Sequence, residues 1–394
     1  MAERTVVLGV TGSIAAYKAV DLASRLTQSG VAVHTVMTKS ATQLVGPATF
    51  RAITGRPVST EMFELTNPFA IEHVSLADAA DLVVVAPATA NVLAKMANGI
   101  ADDLLTCILL ATRAPILVAP AMHTAMWEHP ATRENVERLK ARGVEFVGPA
   151  VGRLASGGTG IGRFAPVEEI LDEALRLLGR HGDLAGRRVV VTAGGTHEPV
   201  DPIRFLGNRS SGKMGYAIAE AARDRGADVT LISGPTALRV PGGVDFLPVE
   251  TAAEMLDAVR GAVSGADALV MAAAVADYTP NAPAASKLKK TDSNLVLNLK
   301  RTVDVLASIG DVSVKVGFAA ETENLIENAR AKLRQKGLDL VVANLVGKDN
   351  APFGSDENEV TLVDADEAEE LPRAPKRAIA ERILDRVATL LARA

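Results

Sequence analysis

Short apolar runs rich in β-branched residues recur along the chain, spaced to leave room for one helix between neighbours. In the first half they are TVVLGV (5–10), VAVHTVM (31–37), DLVVVAP (81–87), PILVAP (115–120) and VEFVGP (144–149). They are almost continuously apolar rather than alternating. That predicts strands buried on both faces, as in a parallel sheet covered by helices. The stretches between them carry helical spacing, such as AAYKAVDLASRLTQSG, which Gly30 closes as a helix stop. A helix over VEEILDEALRLLG turns Ile170, Leu171, Ala174, Leu177 and Leu178 to one side, and a charged, Gly-bearing linker follows it. The pattern then restarts at RRVVVTAGG. Further strands are expected at ADVTLISGP, ADALVMAAAVAD, VKVGFAA, LDLVVANLV and NEVTLVD. The end of the chain reads as an amphipathic helix with Ile379, Ile383, Val387 and Leu390 on one face. The pattern predicts an α/β protein of two doubly wound, Rossmann-like domains, 1–180 and 187–394, joined near 180–187.

Length agrees, since 394 residues exceed the roughly 100–200 of one ordinary domain. Hydrophobic residues at 48% and charged residues at 23% describe a soluble chain with substantial cores. The net charge of −5 and the lack of a long basic block argue against a nucleic-acid partner. A single cysteine, Cys107, rules out an intrachain disulfide and a thiolate metal cluster and fits a reducing cytoplasm. The apolar run in MAERTVVLGV is too short for a signal peptide or a membrane span, so a cytoplasmic location without a membrane partner is expected.

Candidate chemistry in the first half gathers after the strands. GVTGSIAAYKA (9–19) is strand, glycine turn and helix start, where Gly12, Ser13 and Ile14 would meet a phosphate. It is not GxGxxG, and no acid stands at the end of the second strand. That disfavours an NAD-dependent oxidoreductase. The hydroxyls of Thr38 and Ser40 suit the phosphate of a mononucleotide such as FMN, although an ordinary turn explains the glycine loop taken alone. His73 stands ahead of the strand that ends in PATAN (87–91), the source of Ala88, Thr89 and Asn91. A histidine there would be a base near neutral pH. PAMHTAMW places Met122 and His123 beside the only tryptophan, Trp127, after a strand. LASGGTGIGR (154–163), with Ser156 and four glycines, reads as a phosphate cradle, a linker or a lid.

In this order and spacing these motifs resemble the flavin-dependent cysteine decarboxylases, FMN proteins of the phosphopantothenoylcysteine decarboxylase type. The resemblance implies a flavodoxin-like flavoprotein domain. It implies that His73 is the active-site base, that the PAMHTAMW loop holds the substrate carboxylate, and that LASGGTGIGR is a flap whose glycines let it open and close. Two positions depart from the family. His123 stands where asparagine is usual, and Ser156 stands where a cysteine protonates the enethiolate. Serine is a far weaker acid than a thiol of pKa about 8.5.

In the second half, TAGGTHEPVDPIRFLGNRSSGKMG (192–215) sets Asn208, Ser210, Ser211, Gly212 and Lys213 at a helix start, an anion site without a P-loop. AAAVADYTP and KLKK put Asp277 at a strand end and Lys287, Lys289 and Lys290 in the loop beyond, an arrangement suited to a nucleoside triphosphate with its metal. Lys332 and Lys336 lie i, i+4 on one helix face, and Phe318 is positioned to stack on a base or to pack in the core. With GFAAET and ANLVGKDNAPFGSDENEV, these motifs resemble the bacterial CTP-using phosphopantothenate–cysteine ligases. The resemblance implies that Asp277, Lys287, Phe318, Lys332 and Lys336 bind CTP with Mg²⁺, that Asn208 acts on an acyl-cytidylate, and that 348–358 is a mobile cover. The two halves together resemble the bifunctional bacterial enzymes of coenzyme A synthesis. That implies small-molecule substrates (4′-phosphopantothenate, cysteine and CTP) and a homo-oligomer with trimeric contacts through the flavin domain and dimeric contacts through the ligase domain. An alternative is a flavin domain that halts at the enethiol or serves only regulation.

Overall fold

The computed structural model describes residues 4–62, 72–155, 157–290, 294–310, 312–347 and 354–393. It divides into two compact units, Met1–Leu178 and Gly179–Ala394.

The first unit runs β1 (Thr5–Val10), α1 (Ala16–Gln28), β2 (Ala32–Met37), α2 (Lys39–Thr42), α3 (Pro47–Thr54), β3 (Val58–Ser59), α4 (Glu72–Ala79) and β4 (Leu82–Ala88). It continues with α5 (Ala90–Asn98), α6 (Leu104–Ala111), β5 (Ile116–Pro120), α7 (Thr124–Trp127), α8 (Pro130–Ala141), β6 (Glu145–Phe146), β7 (Ala150–Arg153), β8 (Thr159–Arg163) and α9 (Val167–Gly179). Its sheet is parallel, in the order β3-β2-β1-β4-β5-β6. That is the Rossmann order, not the flavodoxin order of 2-1-3-4-5. The continuous apolar runs have a direct cause. Val6, Leu8 and Val10 pack into the core on one face of the sheet, and Val7, Val83 and Val85 into the core on the other. Each fully buried side chain of this kind contributes about 1.5–3 kcal/mol. Outside the sheet, β7 and β8 form an antiparallel hairpin that the apolar pattern does not announce, because glycines interrupt it.

The second unit contains β9 (Arg188–Ala193), β10 (His197–Pro199), β11 (Phe205–Gly207), α10 (Lys213–Arg223), β12 (Asp228–Ser233), β13 (Asp245–Pro248), α11 (Ala252–Ala262) and β14 (Ala268–Met271). After these come β15 (Tyr278–Pro280), β16 (Leu299–Arg301), β17 (Val314–Glu321), α12 (Leu325–Lys336), β18 (Leu340–Leu345), β19 (Glu357–Val363), β20 (Ala368–Pro375) and α13 (Lys376–Leu391). Six parallel strands repeat the order of the first unit, β13-β12-β9-β14-β17-β18. At one edge β19 and β20 add an antiparallel hairpin. The last helix buries Ile379, Ile383, Leu384, Val387 and Leu391, and Leu390 packs only at the rim of that core. Among the described residues no helix is long and apolar enough to cross a membrane.

Candidate active sites

In both units the strand order reverses beside the first strand, which opens a crevice at the C-terminal edge where such sheets bind ligands. In the first unit three loops meet there. The Thr11 hydroxyl donates to the Pro87 carbonyl at 2.7 Å and accepts the Thr89 N–H at 3.1 Å, which ties the loop after β1 to the loop after β4. The N–H of Thr38 donates to the Val10 carbonyl at 3.0 Å, bringing in the end of β2. Thr38 and Thr89 cap the helices that follow, each accepting an N–H at 3.3 Å. Gly12 runs so close to Ser40 that a Cβ on it would lie 2.4 Å from the Ser40 Cβ. The edge thus collects Gly12, Ser13, Thr38, Ser40, Ala88 and Thr89. Hydroxyls and helix starts at one sheet edge are a donor set that fits the phosphate and ring of a flavin nucleotide.

Beside this edge lies a cavity of about 660 Å³. Ser13, Ile14, Tyr17 and Lys18 line it from the turn after β1 and from α1, Met122 and His123 from the loop after β5, and Arg153, Leu154, Arg163 and Phe164 from the hairpin region. The hairpin is docked on the Met122 loop. The N–H of Met122 donates to the Gly162 carbonyl at 2.9 Å, and the Thr124 hydroxyl donates to the Ile161 carbonyl at 2.7 Å. His123 is the N-cap of α7, and its Nδ1 accepts the Ala125 N–H at 3.2 Å. In the neutral ring the proton therefore sits on Nε2, free to serve the cavity as a donor. A histidine here supplies both the capping acceptor and a hydrogen-bond donor.

Several expected residues lie elsewhere. His73 is on α4, which packs against α6, and it does not line the cavity. Asn91 lies exposed in the first turn of α5 and is also absent from the lining. Ser156 lies outside the described residues. Cys107, on α6, does not line the cavity, and burial together with the Asp103 and Asp102 carboxylates pushes its thiol up. Sequence reading missed Tyr17, Lys18, Arg153, Arg163 and Phe164. The i, i+3, i+4 spacing of Ile14, Tyr17 and Lys18 was the signal available for two of them.

In the second unit the crevice is sealed beyond the strand ends. Ala274 N–H donates to the Gly194 carbonyl at 2.8 Å, and Ala276 N–H donates to the Thr196 hydroxyl at 2.9 Å. Asn208 joins them, its amide donating to the Val275 carbonyl at 3.0 Å. A cavity of about 640 Å³ opens there, lined by Val275, Asp277, Arg301, Asp304, Phe318, Lys332 and Lys336 among others. The structure therefore unites Asp277, Phe318, Lys332 and Lys336. Phe318 lies within β17 rather than after it. Lys332 Nζ donates to the Phe318 carbonyl at 2.7 Å, and burial lowers the pKa of this ammonium against the opposing pull of Glu321. Lys336 pairs with Asp304. Burial works to raise the Asp304 pKa, but Lys336 and the Ala307 N–H hold it below the usual range. Asp304 and Arg301 were not anticipated, because neither stands in a recognisable motif.

The helix-start cluster and Lys287 do not line this cavity. Lys213 Nζ donates to the Gly354 carbonyl at 2.8 Å and to Asp356 at 2.7 Å, so it ties down the start of β19 instead. Ser210 accepts the Gly212 N–H at 3.3 Å, and Ser211 is half-buried beside it. Lys287 is exposed. Its neighbour Leu288 is gripped, its N–H donating to Asp201 at 3.1 Å and its carbonyl accepting from Arg204 at 2.7 Å. Of the expected cover, residues 348–353 lie outside the described residues. No cluster of three or more histidine, cysteine or acidic side chains fit for a metal occurs among the described residues.

Comparison with known proteins accounts for both units. Residues 1–179 match the Flavoprotein family, and residues 184–391 match the DNA/pantothenate metabolism flavoprotein C-terminal domain. The Coenzyme A biosynthesis bifunctional protein CoaBC of Mycobacterium tuberculosis (strain ATCC 25618 / H37Rv) is 48% identical over 99% of this chain and 97% of its own. That of Bacillus subtilis (strain 168) is 46% identical over 98% of this chain and 97% of its own. A solved C-terminal domain of a CoaBC protein is 41% identical, covering 54% of this chain and 100% of that chain, with a TM-score of 0.47. With such identity running through both units, the chain belongs to the family of Coenzyme A biosynthesis bifunctional proteins CoaBC.

Proposed function

We propose that the chain converts 4′-phosphopantothenate and cysteine into 4′-phosphopantetheine in two steps, with residues 187–394 as the ligase domain and residues 1–180 as the decarboxylase domain. The observation that carries this reading is the near-full-length identity to CoaBC proteins across both units. In the ligase step the phosphopantothenate carboxylate attacks the α-phosphorus of CTP and releases pyrophosphate. The amine of cysteine then displaces CMP and forms the amide. Lys332, Lys336 and Arg301 face the triphosphate, Asp277 faces the Mg²⁺ it carries, and Phe318 packs on the base. Asn208 sits beside the activated carbonyl, and Lys287 enters from its loop as the substrates close the site. Ser210, Ser211 and Lys213 complete the substrate-binding surface at the start of α10.

In the second step the cysteine-derived carboxylate leaves as CO₂, with no net change in oxidation state. FMN, when bound by Gly12, Ser13, Ile14, Thr38, Ser40, Ala88 and Thr89, supplies a two-electron acceptor and donor for this step. The loop of Met122 and His123 orients the departing carboxylate through the His123 Nε2–H, Asn91 assists in orienting the substrate, and the hairpin excludes water. His73 lies outside the cavity of its own chain, so its role as base calls for a homo-oligomer that carries it to a neighbouring copy. Trimeric contacts of the flavin units meet that need, alongside dimeric contacts of the ligase units. The assembly works in the cytoplasm. Serine at position 156 favours a second outcome, release at the enethiol stage, in which the two electrons stay on the reduced flavin.

Pyrophosphate and CMP release test the ligase step separately. With phosphopantothenate and MgCTP alone, pyrophosphate should form up to one equivalent per site, and CMP should follow only when cysteine is added. No pyrophosphate in the presence of the acid would sink the ligase assignment.

A further inference from the structure

The first-unit cavity has an imbalance of charge that the reaction described so far does not use. Lys18, Arg153 and Arg163 all line it, and no carboxylate does. Among the described residues no ion pair or hydrogen bond engages the side chain of any of the three. Two acids, Asp21 and Glu168, share an adjoining pocket with Lys18 and Arg163, and both turn to Arg25, at 3.0 and 3.1 Å. The second-unit cavity is unlike this, since its three cations share the lining with Asp277 and Asp304.

The positions of these cations are unfavourable without an anion. Lys18 stands in the first turn of α1, which contains no acidic residue, so its charge opposes the positive end of the helix dipole. Arg163 lies opposite Ala150 in the hairpin, and its side chain crosses over Gly152, where a Cβ would lie 3.0 Å from its Nη1. Arg153, on the same hairpin, lines the same cavity. The rest of the lining, Ile14, Tyr17, Met122, Leu154 and Phe164, is largely apolar and suits an uncharged chain.

We propose that Lys18, Arg153 and Arg163 form a receptor for a phosphate monoester, the phosphate at the end of the substrate remote from the reacting carboxylate. This rests on the functional reading above. The phosphate of a flavin nucleotide is the other source of the same chemistry. Of its donor set, Gly12, Thr38, Ser40, Ala88 and Thr89 take no part in this lining, and only Ser13 and Ile14 border both sites. Guanidinium groups suit the task because they bind phosphate oxygens in pairs and carry their charge at every working pH. The apolar wall then measures the distance from the phosphate to the carboxylate held at His123.

The test uses the flavin-loaded full chain and two probes, phosphopantetheine and pantetheine, with binding read from Trp127 fluorescence and flavin absorbance. Turnover of phosphopantothenoylcysteine and its dephosphorylated form is measured in parallel. The wild type should prefer the phosphorylated partner in both assays. Arg163→Gln, Arg153→Gln and Lys18→Gln should each reduce that preference by at least about tenfold, through KM rather than kcat, with flavin content unchanged. Equal losses for both partners, an unchanged preference, or flavin lost in proportion to binding would each overturn the proposal, the last by assigning these cations to the flavin phosphate. A phosphate preference that the variants abolish, seen in a chain that releases no CO₂, would uphold the receptor and sink the functional reading. Turnover with an unaltered preference would do the reverse.

Discussion

The N–H of Met122 donates to the carbonyl of Gly162 at 2.9 Å, so the loop of Met122 and His123 and the β7–β8 hairpin are joined by backbone. Gly162 has φ of +131°, and a Cβ there would lie 2.2 Å from the Met122 carbonyl oxygen. Only glycine fits, because the obstructing atom is backbone and cannot rotate away. Gly162→Ala should displace the hairpin and lower CO₂ release by about tenfold to a hundredfold. CMP release, which belongs to the other unit, should not change. Measuring both products from the same preparation checks this, and a parallel fall in the two would show general misfolding instead.

His123 supplies a capping acceptor and a donor at once, which gives its substitutions an order. Asparagine has both groups and should retain activity within a few fold. Leucine has neither. His123→Leu should lose about 1 kcal/mol of stability at the α7 cap and most of the decarboxylation. Thermal unfolding followed by Trp127 fluorescence, together with CO₂ release, separates the two losses.

Asp201 predicts an acid dependence of the second unit. Its carboxylate accepts from the Arg204 side chain and from the N–H groups of Ile203, Arg204 and Leu288. The Arg204 guanidinium, against the effect of burial, holds this carboxyl well below the usual carboxylate range. A depressed folded value means the contribution is complete above the unfolded pKa, about 3.9, and fades as pH falls towards the folded one. Asp201→Asn should therefore melt below the wild type at pH 7, with the gap narrowing between about pH 4 and pH 2. It should also raise KM for CTP, since the Lys287 loop loses its anchor. A gap that stays constant with pH would contradict this role.

Lys332 predicts an alkaline limit. Burial lowers its pKa, so its charge is lost at lower pH than that of a surface lysine. KM for CTP should climb as pH rises above neutrality, before ordinary lysines titrate. Lys332→Arg should flatten that rise, because a guanidinium does not titrate there. Initial rates of pyrophosphate release between pH 7 and pH 10 decide it.

The strands were legible because short, continuous, β-branched apolar runs mark burial on both faces of a parallel sheet. The loops at the strand ends were legible for the same reason, since Gly12, Thr38 and Thr89 follow such runs directly. The hairpin of β7 and β8 was visible only as a glycine-rich stretch, because glycine conceals the alternation of a strand. Arg301 and Asp304 were not visible. They reach the second cavity from residues beyond β15, a long excursion whose return path no local pattern records. Lys213 shows another limit: the sequence places a lysine at a helix start, and only the fold shows that it also meets Asp356.

The central claim is that one chain carries phosphopantothenate through to phosphopantetheine. The most direct test is the mass of the final product formed by the purified, flavin-loaded protein supplied with 4′-phosphopantothenate, cysteine, CTP and Mg²⁺. The account predicts the mass of phosphopantetheine. A product two hydrogens lighter would mean decarboxylation without reduction and would place the failure at Ser156. Accumulation of the cysteine amide alone would contradict the claim and leave the first unit without the activity assigned to it.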